Sequence, residues 1–175
     1  MTMKTKLINA YMATAKIFAE LSHARRLHVG AIVVKDDRII SIGYNGMPAG
    51  WENNCEDIVW DKGAGGWLDP DEIEARYPYE GFHPEAQRNV RYGLKTKPEV
   101  LHAETNAIAK LARSNESGLD GDLFVTHAPC LDCSKLIYQA GIKRVFFGTA
   151  YRDSAGVDFL KASGVTVTQV KEDDK

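Results

Sequence analysis

LHAETNAIAKLARSNESGLDGDLFVTHAPCLDCSKLIYQAGIKRVFFGTA, residues 101–150, decides the architecture. Its pattern predicts a helix from about His102 to Arg113, a strand at Leu123–Thr126, a helix starting near Cys130 and stopping at Ala140-Gly141, and a strand at Arg144–Phe147. Beyond it, a short helix around Val157–Ala162 and a strand at Val165–Gln169 continue the alternation. On the other side, Leu7, Ile8, Tyr11, Met12, Ala15, Phe18 and Ala19 recur at helical spacing and predict an amphipathic helix ending near His23. The β-branched run Val29–Val34 and the return Arg38–Tyr44 read as a hairpin closed by the polar turn Lys35-Asp36-Asp37. Strands alternating with helices define an α/β chain with helices on both faces of its sheet.

Between about 49 and 100 that regularity stops. Gly63, Gly65, Gly66, Pro70, Pro78, Pro84 and Pro98 punctuate the segment, and Trp51, Trp60 and Trp67 are scattered through it. It reads as an irregular but ordered insertion, with short helices expected at Asp71–Ala75 and Pro84–Tyr92. One domain is expected across residues 1–175, frayed at the charged tail from Lys171 to Lys175.

The chain has 175 residues, 44% of them hydrophobic, which is enough to bury a core without covalent staples. Its 22 Lys and Arg stand against 24 Asp and Glu, so no broad basic field exists to hold a nucleic-acid backbone. No segment approaches the roughly 18 consecutive apolar residues of a membrane span, and the N-terminal stretch, broken by Asn9, Thr14, Lys16 and Glu20, does not read as a signal peptide. Three cysteines, two of them in a C-x-x-C, argue for metal or redox chemistry in a reducing compartment, and the expected location is the cytoplasm.

The chemistry concentrates in the opening stretch. His102, Cys130 and Cys133 form a zinc-type donor set without an evident fourth ligand, and Glu104 follows His102 by two residues. Structural zinc sites are closed by four protein ligands, whereas catalytic ones keep a position for water and make it acidic. Both halves sit at predicted helix N-termini, where the dipole favours thiolates. Glu104 can then reach the water and carry protons, as hydrolytic removal of an amine requires. Two bland alternatives compete: a C-x-x-C redox pair or half of a zinc knuckle, and a structural site closed by Cys55.

His-x-Glu with Pro-Cys-x-x-Cys is the signature of zinc deaminases. Val29-Gly30-Ala31, Gly43-Tyr44-Asn45-Gly46, the run from His102 to Ile108 and Gln139-Ala140-Gly141-Ile142-Lys143 resemble deoxycytidylate (dCMP) deaminases of the cytidine deaminase superfamily, including phage-type members. The resemblance implies a three-layer α/β/α sandwich around a mixed five-stranded sheet, one catalytic Zn2+ held by His102, Cys130 and Cys133, and Glu104 as the acid/base. It implies hydrolysis of dCMP to dUMP and ammonia for thymidylate synthesis. It further implies a homohexamer activated by dCTP and inhibited by dTTP, each with Mg2+, in a cytoplasm that is the host's if the source is viral.

Asn45 is the residue expected at the sugar, with Tyr44, Asn45 and Gly46 alternatively serving an effector nucleotide; a plain Asn-Gly turn is the competing reading. A 5′-phosphate needs a cation, for which Arg26, Tyr151 and Arg152 are the candidates, Arg25 being equally basic. His127 is expected at the pocket wall. Cys55 matches one ligand of a second zinc site found in some phage members, but Ala24 to His28 holds no Cys and Tyr92 to Leu101 no His. Rival activities are deamination of free cytidine, of adenosine in tRNA, or none at all in a zinc-stabilised binding module.

Overall fold

A computed structural model describes residues 3–61, 63, 68–151 and 153–171. The helices are α1 (Thr5–Ala19), α2 (Pro70–Arg76), α3 (Ala103–Leu111), α4 (Leu131–Gln139) and α5 (Ala155–Ala162). The strands are β1 (Gly30–Lys35), β2 (Arg38–Tyr44), β3 (Glu56–Trp60), β4 (Tyr79–His83), β5 (Arg88–Thr96), β6 (Asp122–His127), β7 (Arg144–Thr149) and β8 (Thr166–Gln169).

The main sheet runs β2-β1-β6-β7-β8. β1 is antiparallel to β2 and β6, whereas β6, β7 and β8 are parallel, so the five-stranded sheet is mixed as expected. Asp36 and Asp37 carry φ of 51° and 57°, the left-handed pair that a two-residue hairpin turn requires. Alternation along each strand then assigns the two faces. Ala31, Val33, Leu123, Val125, Val145 and Phe147 point toward α3, α4 and α5, where they meet Ala107, Leu111, Ile137 and Leu160. Ile32, Val34, Phe124 and Phe146 point the other way, onto Met12 and Ala15 of α1. Helix approach is close on both sides: a Cβ at Gly30 would stand 2.0 Å from the Ala15 carbonyl oxygen, and one at Gly43 would stand 2.1 Å from that of Ala103.

The 49–100 segment is more regular than its sequence suggests. It carries a second, three-stranded antiparallel sheet in the order β3-β5-β4, plus α2. The helix expected at Asp71–Ala75 forms as α2, opened by a capping box in which Asp69 and Glu72 satisfy each other's backbone N–H. The helix expected at Pro84–Tyr92 does not form. Instead the His83 ring Nδ1 accepts from the N–H of Glu85 and of Ala86, Gln87 adopts φ 51°, and the chain reverses into β5. Trp60, Tyr92, Tyr79 and His83 then interlock across the strands. Trp67 and the tail beyond Lys171 lie outside the described residues. Among the described residues no helix is long and apolar enough to cross a membrane.

Candidate active site

α3 and α4 start side by side, and the N-cap of each is a metal-type ligand. His102 and Cys130 both have extended backbone, and each carbonyl accepts the first helical bond, from Asn106 and Ser134. Cys133 lies in the first turn of α4. His102 Nδ1 is 3.6 Å from Cys130 Sγ and 3.3 Å from Cys133 Sγ, and the three ligand atoms lie within 4.8 Å of one another. Tetrahedral zinc with ordinary Zn–N and Zn–S bonds sets such N···S separations at about 3.6 Å. The donor set and its spacing therefore fit a zinc ion. Among the described residues this is the one such convergent group.

The electrostatics point the same way. Hydrogen bonds from Cys133 and His102 hold the Cys130 thiol down to about 4, while Cys133, donor in that bond and buried, is pushed up. The hydrogen bond to Cys130 also raises His102. The two thiols thus share one negative charge, and a divalent cation is what lets both ionise. Thr105 Oγ1, 3.6 Å from Cys133 Sγ, supports the sulfur from outside the ligand set. Glu104 is 4% exposed, and burial pushes its carboxyl up to about 7, in the range suited to passing protons near neutrality.

These groups lie at a cavity of about 360 Å³, within the usual range for small-ligand sites. Its lining includes His102, Glu104, Cys130, Asn45, Arg26, Tyr151 and His127 from among the residues picked out from sequence; Cys133 stands behind it, buried beside His102. Arg152 lies outside the described residues. Of the two adjacent arginines, Arg26 lines the cavity, whereas Arg25 Nε stands 3.7 Å from the Glu56 carboxylate. Asn45 holds the loop before β1 from both sides, its Oδ1 accepting from Val29 N–H at 2.8 Å and its Nδ2 donating to the Leu27 carbonyl at 2.8 Å. Among the described residues, one lone pair and one N–H of that amide take no further hydrogen bond. Tyr44 and Gly46 are not lining residues. The Tyr44 carbonyl accepts from Asn106 Nδ2, its ring lies under Lys110 Nζ, and Gly46 bridges to Leu101.

Cys55 does not close the metal group. It packs with Ala24, Val100 and Met47, where burial and the neighbouring Glu56 push its thiol up. Glu56 and Thr96, both cavity-lining, were missed from sequence, since neither sits in a motif and both lie in the segment read as irregular.

The family described as the cytidine and deoxycytidylate deaminase zinc-binding region matches residues 5–149, and the chain belongs to it. The deoxycytidylate deaminase of Enterobacteria phage T4 is 35% identical over 158 residues, covering 81% of this chain and 78% of that protein. ComE operon protein 2 of Bacillus subtilis is 33% identical over 165 residues, covering 94% and 71%. A crystal structure of dCMP deaminase from cyanophage S-TIM5, in complex with dCMP and dUMP, superposes with a TM-score of 0.72 at 38% identity, covering 97% of this chain and 100% of that one. The chain is thus a zinc-binding deaminase by family, and the fold and recognition drawn from its motifs hold.

Proposed function

We propose that this protein hydrolyses dCMP to dUMP and ammonia, with Glu104 as the proton carrier and His102, Cys130 and Cys133 as zinc ligands. The observation that carries the reading is the placement of buried Glu104 beside the three-ligand group, at the wall of a cavity that also holds Arg26 and Asn45. Bound zinc supplies the Lewis acidity that makes water a nucleophile near neutral pH.

The chain's own residues do the rest. The Glu104 carboxylate takes a proton from the attacking water and delivers it to the pyrimidine ring nitrogen; it then takes the remaining proton of the oxygen now bonded to the ring carbon and passes it to the amine, which leaves as ammonia as the carbonyl forms. Burial suits it to this shuttle, because its neutral and ionised forms lie close in energy at working pH. Asn45 offers its remaining lone pair and N–H to the sugar, while its other bonds fix the loop that carries Arg26. Arg26, with Tyr151 and Arg152 as further candidates, meets the 5′-phosphate; a nucleoside lacking that phosphate leaves this cation without a counter-charge.

Regulation belongs to the same proposal: a homohexamer responding to dCTP and dTTP, each with Mg2+, with Tyr44, Asn45 and Gly46 near the effector. Support for assembly comes from exposed apolar side chains on and beside α4, Leu119, Leu131, Leu136 and Tyr138. Support for coupling comes from Gly46, whose backbone is paired with Leu101, next to His102. An enzyme of this kind supplies thymidylate synthesis and works in the cytoplasm.

The test is ammonia release by zinc-loaded protein from dCMP, deoxycytidine and CMP side by side, with and without dCTP and Mg2+. Turnover of dCMP above the other two is expected. No release from dCMP under either condition overturns the proposal.

A further inference from the structure

We infer that the 49–100 segment is part of the substrate site, and that Glu56, paired with Thr96 across the end of its sheet, positions Arg26 for the phosphate. This rests on the dCMP reading above and goes beyond it by assigning a role to the insertion.

The Glu56 carboxylate is almost fully enclosed, and its Oε1 accepts from the backbone N–H of Arg25 at 2.9 Å and of Arg26 at 3.2 Å. A buried carboxylate is costly unless its lone pairs are used, and here two N–H groups and the Arg25 guanidinium use them. Its charge is thereby offset without drawing on the Arg26 side chain. That side chain donates from Nη1 to Thr96 Oγ1 at 3.2 Å, and among the described residues no carboxylate lies within ion-pair distance of it. Glu56 and Thr96 are partners on the β3–β5 ladder. One rung of the second sheet therefore grips both the backbone and the guanidinium of the same arginine.

All three residues line the cavity that holds His102 and Glu104. Segment 25–29 is consequently clamped twice, by Glu56 at its start and by Asn45 at its end. An arginine held by its backbone and steadied by a neutral hydroxyl keeps its full charge for an anion and loses little side-chain freedom when the anion arrives. Glu56 is a positioning residue in this scheme, and Arg26 the group that meets the ligand.

The experiment measures kcat and KM of the zinc-loaded enzyme for dCMP and for deoxycytidine. Glu56→Gln, Thr96→Val, Arg26→Gln and the Glu56→Gln/Arg26→Gln double variant are compared with the unaltered chain. Each single change is expected to lower the preference for dCMP over deoxycytidine, about tenfold for Arg26→Gln and severalfold for the other two, through KM rather than kcat. The double variant is expected to match Arg26→Gln alone, because Glu56 acts through that side chain. Equal losses on both substrates, or additive losses in the double variant, overturn the inference. Should Glu56→Gln fail to fold, Thr96→Val decides, since it removes one hydroxyl and leaves the ladder intact; an unaltered preference there overturns it as well. Failure of the unaltered chain to deaminate dCMP sinks the parent proposal instead, which separates the two.

Discussion

Gly46 and Leu101 exchange both of their backbone hydrogen bonds, at 3.1 and 2.9 Å. The residue before His102 is thus tied to the residue after Asn45, and the start of α3 cannot shift without moving the loop that follows β2. His102, Glu104 and Asn45 therefore share one frame, and the expected behaviour of variants follows from it.

Glu104→Gln should keep the fold and the zinc, because Glu104 lies outside the group of ligand atoms. Turnover of dCMP should fall by at least about a thousandfold, since one carboxylate serves several proton transfers. Metal analysis together with ammonia release checks both halves; retained activity would remove Glu104 from the chemistry.

Zinc removal by a strong chelator should abolish turnover and lower Tm while preserving most of the helical signal, because the two apolar clusters on either face of the main sheet do not depend on the metal. Cys130, held near 4, should then become the first thiol labelled by a thiol reagent at neutral pH, with buried Cys55 protected. Metal and protons compete for His102, whose affinity for protons is raised above that of a free imidazole. Zinc affinity should therefore weaken as pH falls through neutrality, which metal titrations at a series of pH values would record.

Asn45→Ala removes the acceptor for the Val29 N–H and the donor to the Leu27 carbonyl. Leaving the partly buried Val29 N–H unpaired should cost about 1–3 kcal/mol of stability, whereas the exposed Leu27 carbonyl can turn to water. Asn45→Asp retains the acceptor and should lose less. Chemical denaturation of the zinc-loaded proteins ranks the three, and an Asn45→Ala chain as stable as the parent would show that the clamp is not needed for folding.

Gly43→Ala should be among the most damaging small changes in the chain. The added carbon would stand 2.1 Å from the Ala103 carbonyl oxygen and 2.6 Å from the Ala107 nitrogen, so α3 must move off β2. Overpacking of this kind costs about 1–3 kcal/mol or more, and here it displaces His102 as well. Lower Tm and less than stoichiometric zinc are the expected readings.

What could be read from sequence was what is local. His102, Glu104, Cys130 and Cys133 fall within two short motifs, and helix starts impose their geometry, so four positions specified a site. The hairpin turn at Asp36-Asp37 and the helix at Asp71–Ala75 were legible for the same reason. Arg25 and Arg26 were not separable, because what distinguishes them, the Glu56 carboxylate beside one guanidinium and the Thr96 hydroxyl beside the other, lies 31 and 70 residues away along the chain. The strands Tyr79–His83 and Arg88–Thr96 were hidden because only Gly93 among their residues is buried and the alternation of Val90, Tyr92 and Leu94 spans too few residues to stand out beside Pro84 and Gly93. Pro84, which seemed a helix start, opens a turn whose reversal depends on the His83 ring.

The second sheet makes its extensive contacts within itself, not against the strands and helices of the main one. The His102, Cys130 and Cys133 group sits at the starts of helices packed on the main sheet, whereas the Glu56–Thr96 rung belongs to the second sheet, so the two can be altered separately. On the roles proposed above, a change at the rung joining Glu56 to Thr96 alters which ligands are admitted without touching the residues that gather at the metal group.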